Sequence, residues 1–149
     1  MKFLTLLSGK KKARSKSHLK NLVELANIDG HFDPRESTVL TEIAKRENIS
    51  SSLISKIAKE SGKIELEIPL EEELKFKQFY DLVKMMLADD FIHELEMQLI
   101  RHWGMKFGYS KKHLDELIDS LIQNIQNGND ASSARERVYW MIKQDNQEK

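Results

Sequence analysis

Apolar residues recur every three or four positions along most of the chain, which is the spacing of the buried face of an α-helix. Short polar breaks separate these segments, which predict about seven helices. Asp33 followed by Pro34 is typical of a helix start, and Gly128 of a helix stop. Residues 63–69 alternate apolar and acidic side chains, but no second strand is predicted, so we expect an extended linker packed by its apolar side. The pattern therefore predicts an all-α fold.

The predicted helices form a single domain between two polar ends. We expect the first helix to begin near Ser15 or Ser17, because either residue can cap it. That boundary leaves residues 1–16 as a basic N-terminal tail, then a helical domain at 17–145 and a frayed C-terminus at 146–149. The fourth helix has the largest apolar face and should be the central one.

One stretch of the pattern occurs twice, sixty positions apart. Residues 22–36 and 82–96 each contain an apolar helical segment that ends in Asp, then a short turn, then a Glu seven residues after that Asp. The correspondence continues downstream of both stretches. It predicts two helical-hairpin repeats at about 17–60 and 77–127, in one bundle.

Four carboxylates in these repeats fall on the inward side of their helices. Asp29 and Asp89 extend the apolar stripes of the helices that end there, and Glu36 and Glu96 lead into the stripes that follow. A carboxylate in the last turn of a helix costs about 0.3–1 kcal/mol, and burial adds several kcal/mol unless positive charge compensates. Oxygen ligands from loops and helix ends suit hard cations, so we expect a Ca²⁺ or Mg²⁺ site.

Two further acids flank this group. Asp33 is either a plain N-cap or a ligand, and Asp90 is either a fifth acid of the site or a solvated turn residue. The candidate metal ligands are thus Asp29, Asp33, Glu36, Asp89, Asp90 and Glu96.

The same acids also have a purely structural interpretation. The two glutamates can cap their own helices, and the two inward aspartates can accept bonds from backbone amides or pair with Arg35, Arg101 or a lysine. His93 lies in the turn after Asp89 and is the one histidine that could join the site. The other histidines are expected at the surface or at caps, and Trp140 in the core.

The formal charge is divided unevenly along the chain. Residues 1–20 hold seven basic residues and no acid, and the whole chain sums to zero, so residues 21–149 carry −7. The tail is either solvated or bound to an anionic membrane surface, with Phe3 and Leu4 among the apolar residues that could enter the interface. Nucleic acid is not expected as a partner, because the acidic part of the chain would oppose it.

Composition and motifs exclude several function classes. Without cysteine the chain forms no disulfide and no thiolate metal site, which fits a cytoplasmic protein, peripheral at the inner face of the membrane if the tail binds there. No apolar run reaches the about 18–20 residues of a membrane span, and we expect no signal peptide. No nucleophile elbow, phosphate loop, zincin or di-iron motif is present, so an enzyme is not expected.

The doubled motif Asp-Gly-x-x-Asp-x-x-Glu in an all-helical domain resembles the tellurite-resistance TerB-like domains. The resemblance covers roughly residues 17–127, and the matching positions are Asp29-Gly30 with Asp33 and Glu36, and Ala88-Asp89 with Glu96. The chain departs from the family at Asp90, where the family usually has Gly, and at His93, where it often has an acid.

The resemblance implies a helical domain with two related halves, an acidic cluster proposed to bind metal, and a scaffold role in stress response or at membranes. We therefore expect a non-enzymatic binding or scaffold protein with a divalent cation and an unknown protein partner. The alternative is a protein-interaction module whose acids are structural and whose basic tail meets a membrane surface.

Overall fold

The structure, a computed structural model, describes residues 2–28, 30 and 33–148, with side chains at 9–28, 30, 33–60 and 62–143. Over these residues the chain is helical, with no strand, which confirms the all-α prediction with seven helices. The helices are α1 Lys2–Asn27, α2 Pro34–Arg46, α3 Ser51–Lys59, α4 Glu72–Met86, α5 Glu94–Lys106, α6 Lys111–Gln126 and α7 Ala131–Glu148, and a 3-10 turn spans Ser61–Lys63.

Helix α4 is the centre of the bundle, as its apolar face predicts. It packs against α1, α2, α5, α6 and α7. Phe76, Phe79, Val83 and Met86 are among its fully buried side chains, and Trp103 of α5 joins the same core. Nine of its residues between Phe76 and Met86 are buried, which explains why the other helices surround this part of it.

Helix boundaries in the two halves of the chain match at an offset of sixty. Helices α2 and α5 begin and end sixty residues apart, and α3 and α6 begin sixty apart after the caps Ser50 and Ser110. Gly30 and Asp90, which are also sixty residues apart, both have a positive φ, at +82° and +63°. Asp90 thus adopts the left-handed conformation in place of glycine, which Asp tolerates better than most residues.

The first helix begins much earlier than predicted. It starts at Lys2 instead of near Ser15 or Ser17, so the basic segment is helical rather than a tail. Side chains 9–12 are exposed, and the first buried one is Ser15. Lysine-rich sequence has good helix propensity, and the single glycine of this stretch, Gly9, weakens the helix without ending it.

Three other boundaries and positions differ from the prediction. Helix α4 ends at Met86, before Asp89, which was expected to lie in its last turn. Helix α7 continues to Glu148, through the residues that were predicted to fray. Trp140 is 52% exposed, and the last helix instead packs through Ala134, Val138, Met141 and Ile142.

Residues 64–69 form the expected extended linker. Ile64 and Ile68 pack against the core, whereas Glu65 and Glu67 are exposed. The amide of Glu67 donates to Oγ of Ser17 at 2.9 Å, which ties the linker to α1. Among the described helices, none has an apolar stretch long enough to cross a bilayer.

Candidate metal centre

The turn between α4 and α5 gathers three groups that can ligate a metal. Asp89 follows the end of α4, His93 is the N-cap residue of α5, and Glu96 lies in the first turn of α5. Nε2 of His93 lies 3.0 Å from Oδ2 of Asp89 and 3.6 Å from Oε1 of Glu96. One ligand atom from each side chain lies within 4.8 Å of the other two, which is close enough for one ion.

Local structure fixes the positions of these three side chains. Oδ1 of Asp89 accepts the amide of Phe91 at 3.1 Å, which holds the carboxylate in the turn. The ring of Phe91 stacks on that of His93, with centroids 6.1 Å apart. Glu96 is 2% exposed, so its carboxylate is oriented inward as its spacing predicts. The site is therefore half-buried and open towards solvent at His93.

Arg35 links the turns of the two halves. Its amide donates to Oδ1 of Asp33 at 2.8 Å, Nε donates to the same oxygen at 3.1 Å, and Nη1 donates to Oδ2 of Asp90 at 3.3 Å. These hydrogen bonds lower the pKa of Asp33. The pKa of Arg35 is raised, first by its bond to Asp33 and further by the charges of Asp90 and Asp89. The start of α2 thus lies beside the turn before α5, and the guanidinium of Arg35 joins them.

The six predicted ligands separate into distinct groups. Asp89 and Glu96 come together with His93, whereas Asp33 and Asp90 contact Arg35 and do not join that cluster. Asp33 caps α2, which agrees with the interpretation of this residue as a plain N-cap. The side chain of Asp90 is 89% exposed.

The two remaining predicted ligands lie in the first half of the chain. Glu36 is 3% exposed, which confirms that it faces inward. It lies in the first turn of α2, as Glu96 does in α5. Among the described residues, Glu36 is not part of the ligand cluster. Asp29 lies outside the described residues.

A second polar cluster, of His18, Arg46 and Asp81, was not predicted from the sequence. His18 of α1 is fully buried, and its Nε2 lies 2.8 Å from Oδ2 of Asp81 of α4. Arg46 at the end of α2 also donates to both carboxylate oxygens. The only hint in the sequence is a charged residue inside the apolar run 79–83, since periodicity does not identify a partner far along the chain.

The charge of Asp81 is stabilised by these two partners. Burial by itself raises the pKa of Asp81, but the hydrogen bonds and charges of His18 and Arg46 outweigh it, and the net pKa is lowered. The carboxylate is therefore ionised and can only accept, so Nε2 of His18 carries the proton of their hydrogen bond. The cluster joins three helices through one buried negative charge.

The fold and the site together define a small all-α protein with a carboxylate–imidazole cluster at one interhelical turn. A scan against protein-family models found no match for the chain, and searches of curated proteins and of solved structures found no similar protein.

Proposed function

We propose that this chain is a non-enzymatic, TerB-like binding or scaffold protein that holds a divalent cation at Asp89, His93 and Glu96. The observation that carries the proposal is the convergence of the three ligand atoms within 4.8 Å. The motif repeated at an offset of sixty, and the matching helix boundaries, support the TerB-like assignment, and we infer a link to tellurite or other stress from that assignment. A protein partner would then bind a cation-stabilised turn.

Electrostatics favours a cation at this position. Asp89 and Glu96 bring two carboxylates to one imidazole, and like charges this close repel unless a positive charge lies between them. An ion would also fix the turn that joins α4 to α5. The imidazole ligand favours Zn²⁺ over Ca²⁺ or Mg²⁺, because hard cations take oxygen ligands almost exclusively. Mn²⁺, which accepts both ligand types, is the second candidate.

Thermal unfolding in the presence of each ion tests the proposal. An ion at about 100 times its Kd stabilises the folded state by about 2.7 kcal/mol, which raises Tm by about 5–10 °C for a chain of this size. We expect this rise with Zn²⁺ or Mn²⁺ and a smaller one with Ca²⁺ or Mg²⁺. The double variant Asp89→Asn, Glu96→Gln should lose the rise.

Glu94→Gln is the matched control. Glu94 lies in the same first turn of α5 but is exposed and outside the cluster, so this variant should keep the full metal response. Each variant is also measured without metal, to show that it is folded. An unchanged Tm with all four ions, or an equal loss of response in the control, would contradict the proposal.

The alternative function is a protein-interaction module with purely structural acids, and Arg35 is the observation that favours it. A guanidinium already supplies positive charge to Asp33 and Asp90 between the two turns. In that case the turns need no ion, chelators leave Tm unchanged, and binding of a basic partner weakens with salt.

The N-terminal half of α1 supports an additional membrane-surface role. The helix continues as far as Lys2, and Lys10, Lys11 and Lys12 are exposed beyond the packed part of the bundle. Seven basic residues without an acid in positions 1–20 would attract an anionic leaflet, at about 1 kcal/mol for each lysine near the surface.

Vesicle co-sedimentation, with and without phosphatidylserine, tests this role. The triple variant Lys10→Gln, Lys11→Gln, Lys12→Gln should bind phosphatidylserine vesicles about 100-fold more weakly. Its control changes three exposed lysines elsewhere, at Lys56, Lys59 and Lys63, and should bind like the wild type. Equal binding to neutral vesicles, or equal effects of the two triple variants, would argue against the role.

A further inference from the structure

A pocket of about 320 Å³ lies between α4 and α7, away from the metal centre. One wall is a single face of α4, where lining residues recur at helical spacing from Glu73 to Lys84. The opposite wall is the start of α7, and Arg46 closes one side. Phe76 and Tyr80 supply the apolar part of the lining. The pocket is thus concave, partly apolar and ringed by charges, which is typical of small-molecule sites.

Three cations in this pocket have no counter-ion among the described residues. Lys77 and Lys84 lie seven residues apart on one face of α4, and Arg135 lines the opposite wall from α7, where its guanidinium also lies 5.7 Å from the ring centroid of Tyr139. Within the described part of the chain, none of the three forms an ion pair. Nε of Arg135 is buried and donates no hydrogen bond. A buried donor without an acceptor is unfavourable, so an acceptor supplied by a ligand would stabilise it.

Most of the acids in the lining are already engaged. Asp81 is held by His18 and Arg46, as described above. Asp130 accepts the amide of Ser133 at 2.9 Å and so caps the start of α7. Asp130 stays negatively charged, because the amide that it accepts is neutral and its pKa is lowered. Glu73 and Asp130 therefore offset two of the three cations, and the lining keeps a net positive charge of one. The pocket therefore attracts anions, although residues 21–149 as a whole carry −7.

We propose that this pocket binds a phosphate monoester. A phosphate group carries close to two negative charges at neutral pH and offers three acceptor oxygens, which matches two ammonium groups and one guanidinium fork. A carboxylate offers two acceptor oxygens, one fewer than the number of cationic groups. The organic part of the ester would lie against Phe76 and Tyr80. The ester can be a soluble metabolite or the headgroup of a lipid, since both present the same group.

Calorimetric titration of the full chain with phenyl phosphate and with inorganic phosphate tests the proposal. We expect phenyl phosphate to bind with a Kd below about 1 mM and inorganic phosphate to bind more weakly, because it lacks the apolar part. The double variant Lys77→Gln, Lys84→Gln should raise the Kd at least about tenfold. The control Lys56→Gln, Lys59→Gln removes the same charge from exposed positions on α3 and should leave the Kd unchanged.

A second experiment distinguishes a soluble phosphate monoester from a lipid headgroup. Vesicles with phosphatidic acid are compared with vesicles of equal charge made with phosphatidylserine, which is a phosphodiester. A preference for phosphatidic acid that only Lys77→Gln, Lys84→Gln removes would identify a lipid ligand and support the proposal. Failure to bind phenyl phosphate, inorganic phosphate and phosphatidic acid, or equal losses in the control, would overturn it. The metal titrations use other residues, so neither result decides the other.

Discussion

At the scale of single residues, Asp81 carries a buried charge that joins three helices. It lies on the central helix α4 and receives His18 from α1 and Arg46 from α2. Removing one member of a buried charged group leaves the others without compensation, which is strongly destabilising. The stability of the bundle should therefore depend on this carboxylate more than on any exposed ion pair.

We predict that Asp81→Asn lowers the free energy of unfolding by about 3 kcal/mol at pH 7. The control Asp115→Asn removes an exposed partner of Arg101 and should cost about 1 kcal/mol or less. Urea denaturation of both variants and the wild type measures these differences. Equal losses for the two variants would contradict the role given to Asp81.

The difference in free energy of unfolding between the wild type and Asp81→Asn should change with pH in a defined direction. The pKa of Asp81 is lowered in the folded state, so its contribution is complete above the unfolded pKa of about 3.9 and is lost as pH falls through the lower folded value. The gap between wild type and Asp81→Asn should thus be constant from about pH 7 to 5 and should narrow below about pH 4. A gap that narrows instead between pH 7 and 5 would point to another group.

Residue spacing predicted some of these side chains and missed others. The inward positions of Glu36 and Glu96 follow from their place in the apolar stripe, and both are buried. Asp81 and His18 lie 63 residues apart in the sequence, and the residues around each of them give no sign that the two are paired. Long-range pairs of this kind depend on how helices pack, which a single sequence does not encode in its periodicity.

At the scale of helices, α5 approaches α4 and α6 closely at Gly104. A Cβ at this position would lie 2.6 Å from Cδ1 of Leu114 and 3.2 Å from the ring of Phe79. The corresponding position in α2 is Ala44, which is also buried. The second half of the chain is therefore packed more tightly here than the first, and glycine is needed for its size.

We predict that Gly104→Ala destabilises the protein by about 1 kcal/mol, because overpacking outweighs the gain in helix propensity. Gly9→Ala is the matched control, since Gly9 is exposed in α1 and has nothing within 4 Å of an added Cβ. That change should be neutral or stabilise the protein slightly. Thermal unfolding distinguishes the two, and a stabilised Gly104→Ala variant would refute the close approach.

Helix ends were predictable where a cap or a turn residue marks them. Asp33, Ser50 and Ser110 cap their helices as their sequences indicate. The start of α1 was not predictable in this way, because Ser15 and Ser17 are residue types that cap helices but both lie inside this helix. The exposure of Trp140 was missed for a related reason, since aromatic residues alone do not reveal which side of a helix is covered.

At the scale of the whole molecule, charge is separated along the chain. Residues 1–20 carry +7 and residues 21–149 carry −7, and the pocket between α4 and α7 is a local exception within the acidic part. Hydrophobic spacing sufficed to predict the all-α class and the central position of α4. It predicted acids at the interhelical turns but not which of them lie close together. Asp33 and Asp90 bond to Arg35, and spacing along the helices does not predict that contact.

The central claim is that Asp89, His93 and Glu96 hold one divalent cation. Anomalous diffraction at the zinc edge, from crystals grown with Zn²⁺, tests it most directly. We expect a single strong zinc peak at about 2.0–2.2 Å from one atom of each of these three side chains. A crystal that shows zinc only elsewhere, or Nε2 of His93 still bonded to Asp89 with no peak beside it, would contradict the account.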